Sequence, residues 1–213
     1  MHSCALLNSG SVRCWGDNVF GQFGNGTTRD ASVPLAVAGI TNAVAIDSAS
    51  TSLSTCAVLA TGGVRCWGRN HHGQLGNGTT TDSTTPVAVS NITGATSIAA
   101  GQDHTCVALS NGEARCWGWN NRGQLGNGTT TDTLVPATVT GLTGAAAVSA
   151  GGGHTCAALT DQSVRCWGSN ASGELGTADN MEHWAPVRVF TPRCTMDLDG
   201  NGQTDALTDG LLI

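Results

Sequence analysis

The chain contains no lysine and no tyrosine in 213 residues, and all nine of its basic residues are arginines. Aromatic residues make up 4% and charged residues 11%, where an ordinary domain carries about 25% charged residues. Without lysine there is neither a Walker A phosphate loop nor a Schiff base, and without tyrosine no phenolic general acid. No apolar run approaches the ~20 residues that a membrane-crossing helix needs, so membrane insertion is not expected. A nucleophile elbow, an HExxH helix and a glycine-rich phosphate loop opening a helix are all missing, which leaves an enzymatic reading without residues. The net charge of −6 is uneven, because Asp197, Asp199, Asp205 and Asp209 stand in a tail with no base. Residues 1–194 hold nine basic and eleven acidic residues. The basic stripe of a nucleic-acid binder is absent, so nucleic acid is not an expected partner.

What is present is repetition. "RCWG" recurs at 13–16, 65–68, 115–118 and 165–168, followed at fixed distance by "GQFG" (21–24), "GQLG" (73–76), "GQLG" (123–126) and "GELG" (173–176). Pro34, Pro86, Pro136 and Pro186 each come ten residues after the last of these glycines. A period of about fifty residues points to a repeat architecture.

Each period holds four short β-prone runs separated by turn residues. In the third unit they are "PVAV" (86–89), "TSIAA" (96–100), "HTCVAL" (104–109) and "EARCWG" (113–118). Four strands in about fifty residues is the size of a propeller blade, whereas a β-solenoid coil is half that or less. Starting each unit at its proline gives units of about 1–33, 34–85, 86–135 and 136–185, with a last strand at 186–190. The polar stretch from each RCWG to the next proline then serves as the connection from blade to blade.

The run "HTCVAL" followed by "ARCWGWNNRGQLGNGTTTDTLVP" resembles the regulator of chromosome condensation repeat, in its cysteine-bearing version from secreted bacterial proteins. The resemblance covers residues 2–190. It implies a seven-bladed propeller used as a rigid interaction platform, in relatives that range from a nucleotide exchange factor for a small GTPase to an inhibitor of a β-lactamase. Fold travels with such a motif; partner does not. The expected fold is all-β: a partial, open-arc β-propeller of about three full four-stranded blades plus part-blades over 1–190, then a linker and a short calcium loop-helix segment over 191–213.

Two cysteines with nine residues between them occur four times, in "CALLNSGSVRC", "CAVLATGGVRC", "CVALSNGEARC" and "CAALTDQSVRC". If the first is a hairpin turning near Ser9, Cys4 lies opposite Cys14 and Leu6 opposite Val12. Opposed residues at a non-hydrogen-bonded position have Cα atoms ~4.5 Å apart, within reach of a disulfide. The expected bridges are Cys4–Cys14, Cys56–Cys66, Cys106–Cys116 and Cys156–Cys166. A thiol metal site fits this spacing poorly. Disulfides place the expected location outside the cytosol, extracellular or at the cell surface. Residue 1 falls within a unit and the ninth cysteine, Cys194, has no local mate, so the sequence reads as a segment of a longer secreted protein.

His2, His104 and His154 precede the first cysteine of their units by two positions, with Ser54 in the remaining unit. A residue that recurs with the repeat reads as structural: the histidines as hydrogen-bonded to an adjacent loop, Trp15, Trp67, Trp117 and Trp167 as filling between blades, Asp30, Asp82 and Asp132 as turn caps. Positions where the repeats disagree carry more information about function. Between CWG and GQxG the chain reads "DNVF", "RNHH", "WNNR" and "SNAS", with Asn18, Asn70, Asn120 and Asn170 fixed. The free positions hold Phe20, Arg69, His71, His72, Trp119 and Arg122, types common in binding hot spots. They are expected to line one rim, with Trp184 a further candidate on a separate loop.

The tail "DLDGNGQTDALTDG" (197–210) has oxygen ligands at positions 1, 3, 5 and 9 and glycine at 6, and resembles the calcium loop of dockerin modules and EF-hands. Asp197, Asp199, Asn201 and Asp205 would bind calcium through side chains, Gln203 through its carbonyl, and Asp209 directly or through water. Thr208 stands at position 12, with the acid one place late.

The sequence therefore points to a non-catalytic extracellular binding module for a protein or cell-surface polymer. The alternatives it leaves are a guanine-nucleotide exchange factor-like regulator of a small GTPase and a proteinaceous enzyme inhibitor.

Overall fold

The computed structural model describes residues 1–48 and 53–189. These form fifteen strands in four antiparallel sheets, with no helix among the described residues. The first sheet has three strands, β1 (His2–Leu6), β2 (Val12–Gly16) and β3 (Ala31–Ala36). The second runs β4 (Ala43–Asp47), β5 (Ser54–Leu59), β6 (Val64–Gly68) and β7 (Ser83–Ala88). The third is β8 (Ala95–Ala100), β9 (His104–Leu109), β10 (Ala114–Gly118) and β11 (Thr133–Thr138), and the fourth β12 (Ala145–Ala150), β13 (His154–Leu159), β14 (Val164–Gly168) and β15 (His183–Arg188). Each sheet is an up-and-down meander, the blade of a β-propeller.

Sheet and sequence unit are out of phase, which corrects the expected unit boundaries. The proline strand does not open a blade; it closes the preceding one, so β11 pairs with β10 through Arg115↔Thr138, Cys116↔Ala137 and Gly118↔Thr133. The pairing shifts register between Cys116 and Gly118, and Pro136 falls in that interval. Proline cannot donate to a ladder, so it belongs on an edge strand or at a bulge. The polar stretch 119–132 thus joins the third and fourth strands of one blade instead of linking two blades.

The central hairpins form as the spacing predicts. Cys4 opposes Cys14 and Leu6 opposes Val12, and the four expected bridges are present, with Cα–Cα distances of 4.1 Å. At the hairpin tip Gly112 adopts φ 81°, a left-handed conformation that glycine takes without steric cost, and Gln162 takes the same place in the fourth sheet at φ 68°.

The first strand β8 packs against both β4 and β12, and the alanine-rich sequences of these strands let the sheets converge. The core lies between sheets: one cluster joins Val58, Cys66 and Leu75 with Ile98, Val107 and Trp117, and the next joins Cys106, Cys116 and Leu125 with Val148 and Trp167.

Candidate binding rim

Four loops, 17–30, 69–82, 119–132 and 169–182, follow the CWG strands, and their fixed residues hold the backbone. Asn18 is fully buried. Its Nδ2 donates to the Thr27 and Arg29 carbonyls at 2.9 and 3.1 Å, its Oδ1 accepts from the Phe23 amide at 2.9 Å, and its own amide donates to Asp30 Oδ1 at 2.8 Å. Asn70 and Asn120 repeat this set with Asp82 and Asp132. The recurring aspartates therefore cap the loops, as their position implied.

Each of the first three loops is fastened to the next sheet. The Gln22 carbonyl accepts from Thr55 Oγ1 at 3.0 Å and from Trp67 Nε1 at 2.8 Å. The Gln74 carbonyl accepts from Thr105 and Trp117, and the Gln124 carbonyl from Thr155 and Trp167. These three tryptophans are fully buried. His2 Nε2 lies 2.8 Å from Thr55 Oγ1, and His104 Nε2 lies 2.9 Å from Thr155 Oγ1, so these histidines bond a strand of the neighbouring sheet and not, as expected, a loop. Since each threonine hydroxyl donates its proton to the glutamine carbonyl, it accepts from the histidine N–H. Burial pushes the His104 imidazole down to about 3 and His2 to about 4, keeping both neutral.

The variable residues sit on this frame and meet one another across the junctions. The Phe20 ring is edge-on to His71 at 5.9 Å, with the Arg69 guanidinium 5.9 Å from the Phe20 centroid. His72 lies 5.5 Å from Trp119. Arg69 pairs with Asp103 at 3.0 Å, His71 with Asp82 at 3.5 Å, His72 with Asp132 at 3.1 Å, and Arg122 with Glu182 at 2.5 Å. Phe20, Arg69 and His71 thus meet at one junction and His72 and Trp119 at the next, while Arg122 meets Glu182. Trp184 departs from expectation: it lies on β15, not on a separate loop. Its indole covers Gly123, where an added Cβ would fall 2.5 Å from Trp184 Cδ1, and its carbonyl accepts the Gly128 amide at 2.8 Å. It therefore adjoins the same rim.

Sequence reasoning missed Asp103 and Glu182. Asp103 is 6% exposed and its Oδ1 also accepts from Gln74 Nε2 at 2.9 Å; burial raises its pKa and Arg69 opposes the rise. The signal was available, since the other units carry Leu53 and Gly153 at this place. No group of three or more His, Cys, Asp or Glu side chains among the described residues is placed to hold a metal. Asp197, Asp199, Asn201, Gln203, Asp205 and Asp209, with Cys194, lie outside the described residues.

Similar proteins agree with this architecture. The chain is 36% identical over 104 residues to human E3 ubiquitin-protein ligase HERC2, covering 48% of this chain and 2% of that protein. It is 36% identical over 107 residues to the Ultraviolet-B receptor UVR8 of Arabidopsis thaliana, covering 48% of this chain and 24% of the relative. The chain thus spans a minor part of these relatives. Among solved structures, human WBSCR16 superposes with a TM-score of 0.80 at 26% identity, over 90% of this chain and 51% of the other. Yeast RCC1 (Prp20), bound to Kap60, gives 0.77 at 24% identity, over 90% and 48%. Two models of the regulator of chromosome condensation (RCC1) repeat match residues 61–108 and 111–158, and 2–22, 95–124 and 145–174. Together these matches cover more than half of the chain, which belongs to the RCC1-repeat family.

Proposed function

We propose that this chain is a non-catalytic extracellular binding module, a rigid platform whose rim loops engage a protein or cell-surface polymer. The observation that carries this reading is the division of labour within the loops. The fixed Asn and Asp residues bond the loop backbone, while the variable positions carry Phe20, Arg69, His71, His72, Trp119 and Arg122, which meet one another or an acidic side chain at the loop surface. Aromatic side chains on a preorganised backbone lose little entropy on binding, and arginine adds charge and planar hydrogen bonding. Four disulfides support work in an oxidising compartment. Yeast RCC1, which shares the fold, was solved bound to Kap60, so a protein partner is compatible with the architecture.

The reading is tested by capture from the extracellular fraction of the source organism on immobilised chain. Trp119→Ala is expected to weaken capture by ~1–2 kcal/mol while leaving the melting temperature unchanged. Capture that is indifferent to Trp119 and Arg122 would remove the rim from the function.

A further inference from the structure

The junction between the second and third sheets contains a buried carboxylate that the next junction lacks. Asp103, in the turn between β8 and β9, accepts on Oδ1 from Gln74 Nε2 at 2.9 Å and from Arg69 Nη1 at 3.0 Å. The junction between the third and fourth sheets is built on the same frame. Gln124 Oε1 accepts the Arg122 amide at 2.9 Å as Gln74 Oε1 accepts the His72 amide at 2.9 Å. The Gly153 carbonyl accepts the Ser169 amide at 2.8 Å as the Asp103 carbonyl accepts that of Trp119 at 2.8 Å. A Cβ on Gly168 would stand 2.5 Å from the Gly153 oxygen and 3.2 Å from Gln124 Cα, and one on Gly118 would stand at the same two distances from Asp103 and Gln74.

Only the side chain is missing. With glycine at 153, Gln124 Nε2 is buried and has no hydrogen-bond partner, although the residue is 0% exposed. Leaving a buried donor unmatched is unfavourable, and its amide is oriented as in Gln74, toward the place where Asp103 carries its carboxylate. The space is open to a side chain: a Cβ on Gly153 would meet Ser169 Cβ at 3.4 Å and Arg122 Cγ at 3.9 Å. The first junction differs. Gln22 Nε2 is also unpartnered there, but Leu53 stands at the Asp103 position and Asp17 at the Arg69 position. An apolar side chain and a like charge do not make a carboxylate site.

We infer that the corner formed by Gly153, Gln124 and Arg122 is a carboxylate-binding subsite of the rim. It receives an aspartate or glutamate side chain of a protein partner, in the place that Asp103 fills intramolecularly one junction earlier. This rests on the platform reading above. The Gln124 amide is a donor and asks for an acceptor. Arg122, 54% exposed, supplies the positive charge that Arg69 supplies to Asp103, and the incoming carboxylate competes for it with Glu182. The group that fills the equivalent place one junction earlier is an aspartate side chain, which favours an amino-acid side chain over a sugar ring. Trp119 stands where Arg69 stands in the other junction and offers the partner an aromatic surface beside the subsite.

The test is nuclear magnetic resonance on the whole chain, following the Gln124 side-chain amide during titration with acetyl-Gly-Asp-Gly-amide. The expected result is a saturable shift of that signal, no shift of the Gln74 amide, and no response to the Asn peptide. Gly153→Asp is expected to show the shifted signal without peptide and to lose the response. Gly153→Ala, which adds one methyl at ordinary packing distance, guards against misfolding of the first variant and is expected to weaken the response at least tenfold. An unmoved Gln124 signal at millimolar peptide, an equal response to the Asn peptide, a response to galacturonate alone, or an undiminished response in Gly153→Ala would each overturn the inference. If Trp119→Ala abolishes partner capture while the peptide has no effect, the platform stands and the subsite falls.

Discussion

The Trp117 indole donates its Nε1 proton to the Gln74 carbonyl at 2.8 Å, across the junction between two sheets. That carbonyl also accepts from Thr105 Oγ1, so both of its lone pairs are used inside a buried interface. An indole packed on a loop glycine fills the gap between blades, and its N–H sets the position of the loop. Gly76 allows the approach: its φ is 66° and an added Cβ would fall 2.6 Å from Trp117 Nε1. Gly76→Ala is therefore expected to destabilise the chain by more than ~1 kcal/mol, since the substitution meets both a left-handed backbone and a ring that cannot retreat. Chemical denaturation would show it; an unchanged midpoint would mean that the indole is not held as described.

Thr155 ties two groups together, donating to the Gln124 carbonyl at 2.9 Å and accepting from His104 Nε2. Thr155→Val keeps the shape and removes the hydroxyl, leaving the buried imidazole donor without a partner. A loss of ~1–3 kcal/mol is expected by urea unfolding, with Thr155→Ser close to the parent. Equal behaviour of the two variants would show that packing, and not the hydrogen bonds, holds this junction.

Much of this is legible in the sequence. The cysteine register, the structural character of the recurring His, Trp and Asp residues, and the propeller fold follow from spacing, because repetition separates what every blade needs from what one blade carries. The phase of the blade was not legible. A strand that pairs only on one side has the same local sequence whether it opens or closes a sheet, and Pro136 marks an edge without saying which one. The lock at Gln74 also escaped, because it uses a backbone carbonyl, which has no sequence signature. Trp184 was misplaced because the identity of its neighbour, Gly123 of the previous loop, depends on how adjacent blades dock.

The disulfide pattern predicts four local bridges in protein isolated from an oxidising compartment. Peptide mapping under non-reducing conditions should recover Cys4–Cys14, Cys56–Cys66, Cys106–Cys116 and Cys156–Cys166, with Cys194 outside these pairs. Reduction is expected to cost up to ~2–3 kcal/mol per bridge. Eight free thiols in such a preparation would remove the argument for an extracellular location.

Acid should weaken the fold through the buried histidines. His104 is pushed down to about 3 by burial, with His154 adding to the effect, and His2 is pushed to about 4 by burial and by the N-terminal charge. Above about 6.5 neither the folded nor the unfolded chain protonates these rings, and their contribution is fully present. As pH falls, the unfolded chain takes up protons that the folded chain refuses, so stability declines by about 1.4 kcal/mol per pH unit for each ring. The decline ends near the folded values. Asp103 acts in the opposite sense, since burial raises its pKa and favours proton uptake in the folded state. His104→Gln is expected to flatten the pH dependence between about 6 and 4, and an unchanged slope would remove His104 as the cause.

Calcium is expected to order the tail. Asp197, Asp199, Asp205 and Asp209 lie within thirteen residues, and four carboxylates drawn into one loop repel each other unless a divalent ion balances them. Gly202 at the sixth position permits the sharp turn such a loop needs, and Asp205 can cap the following "ALTDGLLI", so metal binding should also induce a short helix. The acid at position 13 in place of 12 weakens the bidentate contact, which sets the expected affinity in the weaker extracellular range, ~10⁻⁴–10⁻³ M. Calorimetry on the whole chain, repeated with Asp197→Ala and Asp199→Ala, measures this directly. Heat that saturates in the parent and disappears in both variants supports the site, whereas no heat up to ~10 mM calcium, or identical heat in all three proteins, would leave the segment an acidic linker.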